Sequence, residues 1–358
     1  MMMLCLLLLP SSAAARPWHE GYSFEMYKAE FGKRYSGAHE ERQRRRIFEA
    51  RTATIAAHNR AAHSWKMGIN ALTDLTENER AARLGRRKIT LPQNAPRRGG
   101  SGGARPASLD WRDEGVVTAV KDQGNCGSCW AFASTESVES YVALATGELP
   151  VLSAQQLVSC AANPYDCGGS GGCGGSIPEL AFNYVQLYGQ ATEWTYPYAS
   201  YAGDTSGNCT AASAAVSIDG YEKVDVNDYD AVLDALVNVG PLAVNVDASL
   251  WHDYESGVFD ACSNSSLDLN HVVQLVGYGR DDDLGADYWL VRNSWDVSFG
   301  EEGYIRLYRD DDDGPACALD TTPLDGTGCV GGNATQHVCG ECGLLFDVSF
   351  PVGARSLS

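Results

Sequence analysis

The segment Gln123-Gly124-Asn125-Cys126-Gly127-Ser128-Cys129-Trp130-Ala131-Phe132 sets a cysteine, Cys129, at the head of a predicted buried helix. That helix is expected over Gly127 to Val142, with Trp130, Ala133, Val138, Tyr141 and Val142 on one side. A thiol at a helix start suits nucleophilic chemistry, because the macrodipole and the free N–H groups favour negative sulfur. A neighbouring imidazolium would strengthen that preference and could then hand its proton to a leaving group. Beyond the Pro/Gly-rich stretch ending at Pro106, only His252, His271 and His337 could serve. His252 follows Trp251 in a polar loop, and His337 sits in a Cys-flanked, Gly-rich stretch. His271 directly precedes the β-like run Val272-Val273-Gln274-Leu275-Val276. Cysteine spacing alone leaves alternatives: Cys126-x2-Cys129 and Cys339-x2-Cys342 would also suit a four-cysteine zinc site or a thioredoxin-like redox pair.

These residues need a scaffold, and the chain supplies two textures. Residues 20–88 read as helical, with Glu40, Arg44, Ile47, Phe48, Ile55 and Asn59 recurring at intervals of three to four or their multiples. Residues 92–106 hold three Pro, four Gly and three Arg and read as a flexible, protease-accessible linker. Past it, a capped helix is expected over Asn227 to Asn238, stopped by Gly240-Pro241. Strands are expected over Leu242 to Val246, Val272 to Val276, Tyr288 to Arg292 and Tyr304 to Leu307. Helices first and strands later predict an α+β unit.

Charge divides along the same boundary. Residues 1–104 carry 18 Lys+Arg and 9 Asp+Glu, a balance of +9, and residues 105–358 carry 9 and 37, a balance of −28. The total of −19 argues against nucleic acid as a partner, since phosphate wants a basic face. The split suggests instead that one part of the chain holds the other. The run Leu4-Cys5-Leu6-Leu7-Leu8-Leu9 is too short to span a bilayer and, followed by Ala13-Ala14-Ala15, predicts a signal peptide cut near Ala15. No other segment is apolar enough for a membrane helix. Eleven of the twelve cysteines follow that point, an odd number that leaves one thiol over in an oxidising compartment. Asn208, Asn264 and Asn333 each begin an N-x-S/T triplet, as suits a secreted glycoprotein. The Gly-rich run from Cys167 to Ser176 lacks the Lys of a phosphate loop.

Gln123–Phe132 closely resembles the active-site motif of the papain-like cysteine proteases, papain and the cathepsins among them, whose signature C-G-[SA]-C-[WY] it matches. His271 lies 142 residues beyond Cys129, and Asn293 lies 164 beyond it within Val291-Arg292-Asn293-Ser294-Trp295. The resemblance implies Cys129 as nucleophile, His271 as base, Asn293 as the group that orients the imidazole, and Gln123 with the Cys129 N–H as oxyanion hole. Trp295 would shield the Asn–His bond and border the substrate. Glu40-x3-Arg44-x2-Ile47-Phe48 with Ile55 and Asn59, and Gly68-Ile69-Asn70-Ala71-Leu72-Thr73-Asp74, resemble the inhibitory propeptide of the cathepsin-L-like subgroup. Arg51 stands where the family has Asn, and Leu72 where it usually has Phe. Zinc or redox readings leave His271, Asn293 and the propeptide unexplained.

The implied architecture is a signal peptide (1–15), an inhibitory propeptide (16–91), a processing linker (92–105) and a two-lobed peptidase domain (106–358) with an insertion over 310–341. One lobe would be helical and the other β-barrel-like, with the cleft between. The resemblance pairs Cys126 with Cys173, Cys160 with Cys209, and Cys262 with Cys342. Cys167, Cys317, Cys329 and Cys339 are left for two further disulfides of open connectivity. It maps Gly175 and Ser176 to the loop that pairs with bound peptide. Ile177, Pro178, Asn245 and Val272 become the walls of the S2 pocket, with Asp347 as a carboxylate at its floor. Such a pocket should admit basic as well as apolar P2 residues. Asp296 and Phe299 depart from the family's Gly and Trp. The expected function is a monomeric, acid-activated, lysosomal, vacuolar or secreted endopeptidase acting on proteins and peptides. It would need no cofactor or metal, and its own propeptide would inhibit it. The competing reading is a catalytically silent relative that binds peptides.

Overall fold

The computed structural model describes residues 16–17, 21–61, 63–83, 95–100, 104–262, 266–310, 316–323, 326–329 and 335–357. The expected signal peptide, residues 84–91 of the expected propeptide, residues 92–94 and 101–103 of the linker, Asn264 and Asn333 lie outside them. Among the described residues no helix is long and apolar enough to cross a membrane.

The expected propeptide builds a small domain of its own. Helices Phe24–Glu30, Ala38–Arg60 and Glu77–Ala82 surround a core of Phe24, Tyr27, Phe48, Ile55 and Ile69. Thr76 and Glu79 close the last helix's N-terminus as a capping box. The expectation of helix throughout 20–88 fails at Trp65–Ile69, which is a strand. The Asn59 side chain clamps that strand, donating to Met67 O at 2.7 Å and accepting from Met67 N at 2.9 Å. Asp74 organises the domain: buried, it accepts from Tyr27 at 2.7 Å and Tyr35 at 2.8 Å and pairs with Lys33 at 3.0 Å.

In the larger domain, helix Cys129–Thr146 is buried from Cys129 to Ala143, its polar residues Glu136 and Glu139 included. It packs with helices Ala154–Cys160 and Pro178–Tyr188 around Trp130, Leu157, Phe182 and Val185. The β lobe centres on a sheet that runs Trp65–Ile69, Tyr254–Phe259, Tyr304–Tyr308, Ala286–Arg292, His271–Asp281, Leu242–Val246, Val348–Val352, Gly220–Val224. This order stays open, so the β lobe is an extended sheet and not a closed barrel among the described residues. Its core includes Trp251, Trp289, Trp295 and Phe299. The same small domain extends one end of that sheet: Trp65–Ile69 pairs antiparallel with Tyr254–Phe259 and, on its outer side, with Arg16–Pro17. Helix Tyr229–Asn238 is capped by Asp228 and not by Asn227, whose side chain instead meets the insertion at His337 O and Cys339 N. Within the insertion, strands Cys317–Asp320 and Gln336–Cys339 form an antiparallel hairpin closed by the Cys317–Cys339 disulfide.

Candidate active site

Cys129 is the first residue of its helix, and Ser128 at the N-cap makes no side-chain capping bond. Orphan N–H groups of the first turn and the dipole of an 18-residue helix therefore favour a negative sulfur there. His271 opens the strand His271–Asp281, and Asn293 directly follows the neighbouring strand Ala286–Arg292. The two side chains meet, His271 Nε2 to Asn293 Oδ1 at 2.8 Å. Asn293 Oδ1 also accepts from the Ser294 backbone N–H at 2.8 Å. That N–H can only donate, so the amide orientation is fixed and Nε2 must be the protonated nitrogen. Nδ1 is left as the basic nitrogen, buried and without a hydrogen bond. Trp295 lies over the pair with its ring 4.8 Å from that of His271, and His252 stacks on Trp295's ring at 4.6 Å.

Gln123 is held rigidly. Its Oε1 accepts from Ser294 Oγ at 2.6 Å, and its own O accepts from Tyr198 OH at 2.8 Å. Its Nε2 donates to Cys126 O and to Arg83 O, each at 2.9 Å. The second acceptor is a main-chain carbonyl of the propeptide, resting on the donor that sequence reading assigned to an oxyanion. Arg83 also pairs with Asp122 at 3.3 Å. Burial, and to a lesser degree the Arg83 charge, lower the His271 pKa to about 4 against the opposing hydrogen bond to Asn293. Imidazole in this state is neutral at physiological pH.

The propeptide is anchored beside this point by charge. Arg80 forks onto Asp253 at 2.7 and 3.2 Å. Arg51, the residue replacing the family's Asn, reaches Asp253 at 3.5 Å and Glu77 at 2.6 Å. Leu72 is buried, and an open cavity of about 490 Å³ runs past Leu72, Leu75, Trp295 and Asp296. Phe299 is fully buried against Trp295, 5.3 Å between ring centroids. Asp296 takes a left-handed φ of 70° and binds Lys121 O through its N–H.

The residues mapped to S2 also gather. Asn245 is paired with Val272 across adjacent strands, one position from His271, and Asn245 N donates to Asp347 O. Ile177 and Pro178 begin the helix opposite. The floor needs a correction. Asp347, the carboxylate mapped to the floor of an otherwise apolar pocket, is not alone there: Lys223 pairs with one oxygen and Asn245 Nδ2 donates to the other at 3.1 Å. Lys223, 2% exposed, also pairs with the buried Glu179. Burial disfavours the Lys223 charge, but the two carboxylates outweigh it and raise its pKa. Lys223 gave no sequence signal, being one charge in an ordinary strand. Gly175 O accepts from Gly171 N at 2.7 Å, and Ser176 is buried. Disulfides join Cys126 to Cys173, Cys160 to Cys209 and Cys262 to Cys342.

A thiol at a helix start, an oriented imidazole and a donor covered by the chain's own inhibitor define a thiol peptidase in zymogen form. Comparison places it further. Residues 105–327 match the papain family cysteine proteases, and residues 24–79 match the cathepsin propeptide inhibitor domain, so the chain belongs to the papain family. It is 36% identical to cathepsin S of Bos taurus over 331 residues, covering 88% of this chain and 96% of that protein. It is 40% identical to vignain of Vigna mungo over 281 residues, 75% of each. Among solved structures, recombinant stem bromelain precursor matches with TM-score 0.74 and 33% identity, over 92% of this chain and 97% of that one. Digestive procathepsin L 3 of Tenebrio molitor matches with TM-score 0.73 and 32% identity over the same shares.

Proposed function

We propose that this chain is the zymogen of an acid-activated, monomeric cysteine endopeptidase of a lysosome-like, vacuolar or extracellular compartment, with Cys129 as nucleophile, His271 as base and Asn293 as its orienting partner. The observation that carries this reading is the Arg83 carbonyl on Gln123 Nε2, beside the His271–Asn293 pair. A propeptide carbonyl sits where the oxyanion of a substrate carbonyl would be held. Once the propeptide leaves, Cys129 Sγ gives its proton to His271 Nδ1 and attacks that carbonyl, and Gln123 with the Cys129 N–H holds the developing charge. His271 protonates the departing amine, and water then releases the acyl group with His271 as base. Residues 1–15 are removed as a signal, residues 16–91 act as inhibitor, cleavage falls within 92–105, and Asn208, exposed, is available for glycosylation.

For P2 the same reading gives apolar side chains the advantage. A P2 Arg entering over Ile177, Pro178 and Val272 would compete with Lys223 for Asp347, so Leu is preferred. The test uses purified, acid-treated protein and two fluorogenic dipeptidyl-arginyl amides with Leu or Arg at P2, each with and without an epoxide thiol inhibitor. Inhibitor-sensitive turnover that disappears in Cys129→Ala supports the reading. Equal turnover in Cys129→Ala would overturn it, and absence of turnover in correctly processed protein would favour a silent peptide-binding relative.

A further inference from the structure

The insertion touches both walls of the cleft. Its hairpin is fixed to the β lobe, where Leu267 and Leu269 pack with Ala318 and Val338, and Leu267 N donates to Leu319 O. Leu269 is two residues before His271. The described stretch 326–329 then leaves that lobe. Gly326 lies against the Leu269 carbonyl so closely that a Cβ there would collide with it. Gly326 O in turn fills the space beside Gly168, where a Cβ would also meet Ile177 Cγ2 at 2.8 Å and Ser176 O at 3.0 Å. Gly168 N donates to Gly328 O at 3.2 Å. Ser176 and Ile177 are the residues mapped to the peptide-pairing loop and the S2 wall. That loop is locked onto the segment before Cys129 by the Cys126–Cys173 disulfide and by Gly127 N donating to Cys173 O at 3.1 Å. Residues 326–329 thus run from one wall of the cleft to the other, on the Gly-rich-loop side of Cys129.

Sulfur sits at the landing point. Cys167 and Cys329 are both buried thiols in one cluster with Ile177. They are hydrogen-bonded to each other, and that bond, followed by burial, raises the Cys167 pKa. The cysteine count agrees. Eleven cysteines follow Ala15, four disulfides use eight of them, and a Cys167–Cys329 bond would leave Cys129 alone as a thiol.

We propose that residues 326–329 form a strap across the outer end of the cleft, tied to the Gly-rich loop by a Cys167–Cys329 disulfide, and that this strap sets which side chains are accepted beyond P2. The inference rests on the peptidase reading above. The bond forms by exchange with a small-molecule disulfide such as oxidised glutathione. One thiolate attacks it and expels one reduced thiol, and the second cysteine's thiolate then displaces the other, each protein thiol having lost its proton to solvent. With Gly326 pinned between Leu269 and Gly168, a bulky P3 side chain meets backbone that cannot withdraw, whereas glycine at P3 passes.

The test has two readouts on the full-length protein after normal activation. Peptide mapping under non-reducing, denaturing conditions with a thiol alkylator should recover a Cys167–Cys329 linked peptide. Recovery of both cysteines alkylated would overturn the cross-link. Kinetics would compare a dipeptidyl-arginyl amide with its N-terminal extensions carrying Gly or Phe at P3. Wild type should favour P3 Gly over P3 Phe by about tenfold or more, the scale of steric discrimination by a pocket. In Cys329→Ser, and in the double variant Cys167→Ala/Cys329→Ala that leaves no odd thiol, the ratio should fall to about threefold or less while the dipeptidyl rate stays within about twofold. An unchanged ratio in a variant that still turns over the dipeptidyl substrate would overturn the strap's role. Failure of wild type on the dipeptidyl substrate would instead strike the peptidase reading.

Discussion

The two flanks of the proposed Cys129–His271 pair are covered by unlike devices. On the Trp295 side the cover is the propeptide, held by an added strand and by Arg80, Arg51 and Arg83 on Asp253 and Asp122. On the Gly-rich-loop side the cover is the insertion, held by backbone contact, apolar packing and paired sulfurs. The difference follows the job. A cover that must leave is fastened by charges and by a neutral histidine, whose strength changes with pH. A cover that stays uses contacts that acid does not loosen. The opposite charges of the two parts of the sequence, +9 and −28, meet in these three Arg–Asp contacts.

The largest expected effect lies between the flanks. Gln123→Ala should lower kcat by about 10²–10³ with little change in KM, as expected for a donor used only in the transition state. A loss below tenfold would mean that the Arg83 carbonyl does not mark the oxyanion site. Next comes pH. In the zymogen His271 has its pKa lowered from 6.5 to about 4, so the uncovered enzyme binds that proton more readily. The propeptide's hold is therefore full above pH 6.5 and weakens as pH falls toward 4. Autoactivation followed by gel should accelerate by up to about 300-fold over that window, the limit for one proton over two and a half pH units. A rate that is flat, or that rises with pH, would separate the propeptide flank from acid control. Glu255 opposes the trend. Burial raises its pKa to about 7 against Lys66's attraction, so acid favours its covered form. Replacing it by Gln should steepen the profile.

Asp253→Ala removes the shared anchor of Arg80 and Arg51. Truncating one partner of a largely buried charge pair costs about 2 kcal/mol at the low end, or about 30-fold faster activation at neutral pH. The Cys167/Cys329 variants should leave this rate alone, which sharpens the contrast between flanks. The smallest expected effect is at S2. Lys223→Met should move the ratio of P2-Arg to P2-Leu turnover by about tenfold toward Arg by releasing Asp347. A variant with unaltered preference would show that Asp347 does not face the P2 side chain.

Much of this was legible in the chain. Cys129's helix, the strand that begins at His271 and the position of Asn293 follow from local pattern and motif. The Glu40–Arg44 spacing likewise becomes an ion pair at 3.1 Å within helix Ala38–Arg60. What stayed hidden was long-range. Trp65–Ile69 lies in a polar, helix-rich region, and its strand state is set by an edge 185 or more residues away at Tyr254–Phe259. The open sheet order depends on crossovers that no single segment records. Lys223 and Asp347 are 124 residues apart, so their pairing could not be read from either. The insertion's cysteines could be counted but not connected until the fold brought Cys329 to Cys167.

The central claim is that one thiol, silenced by the propeptide, does the chemistry. Its most direct test is labelling of the intact zymogen at pH 7 and of the acid-activated enzyme with an epoxysuccinyl inhibitor, read by mass spectrometry of the modified peptide. The account predicts a single adduct on Cys129 in the activated enzyme and at least about tenfold slower labelling in the zymogen. Equal rates in both forms, or an adduct on Cys167 or Cys329 in place of Cys129, would contradict it.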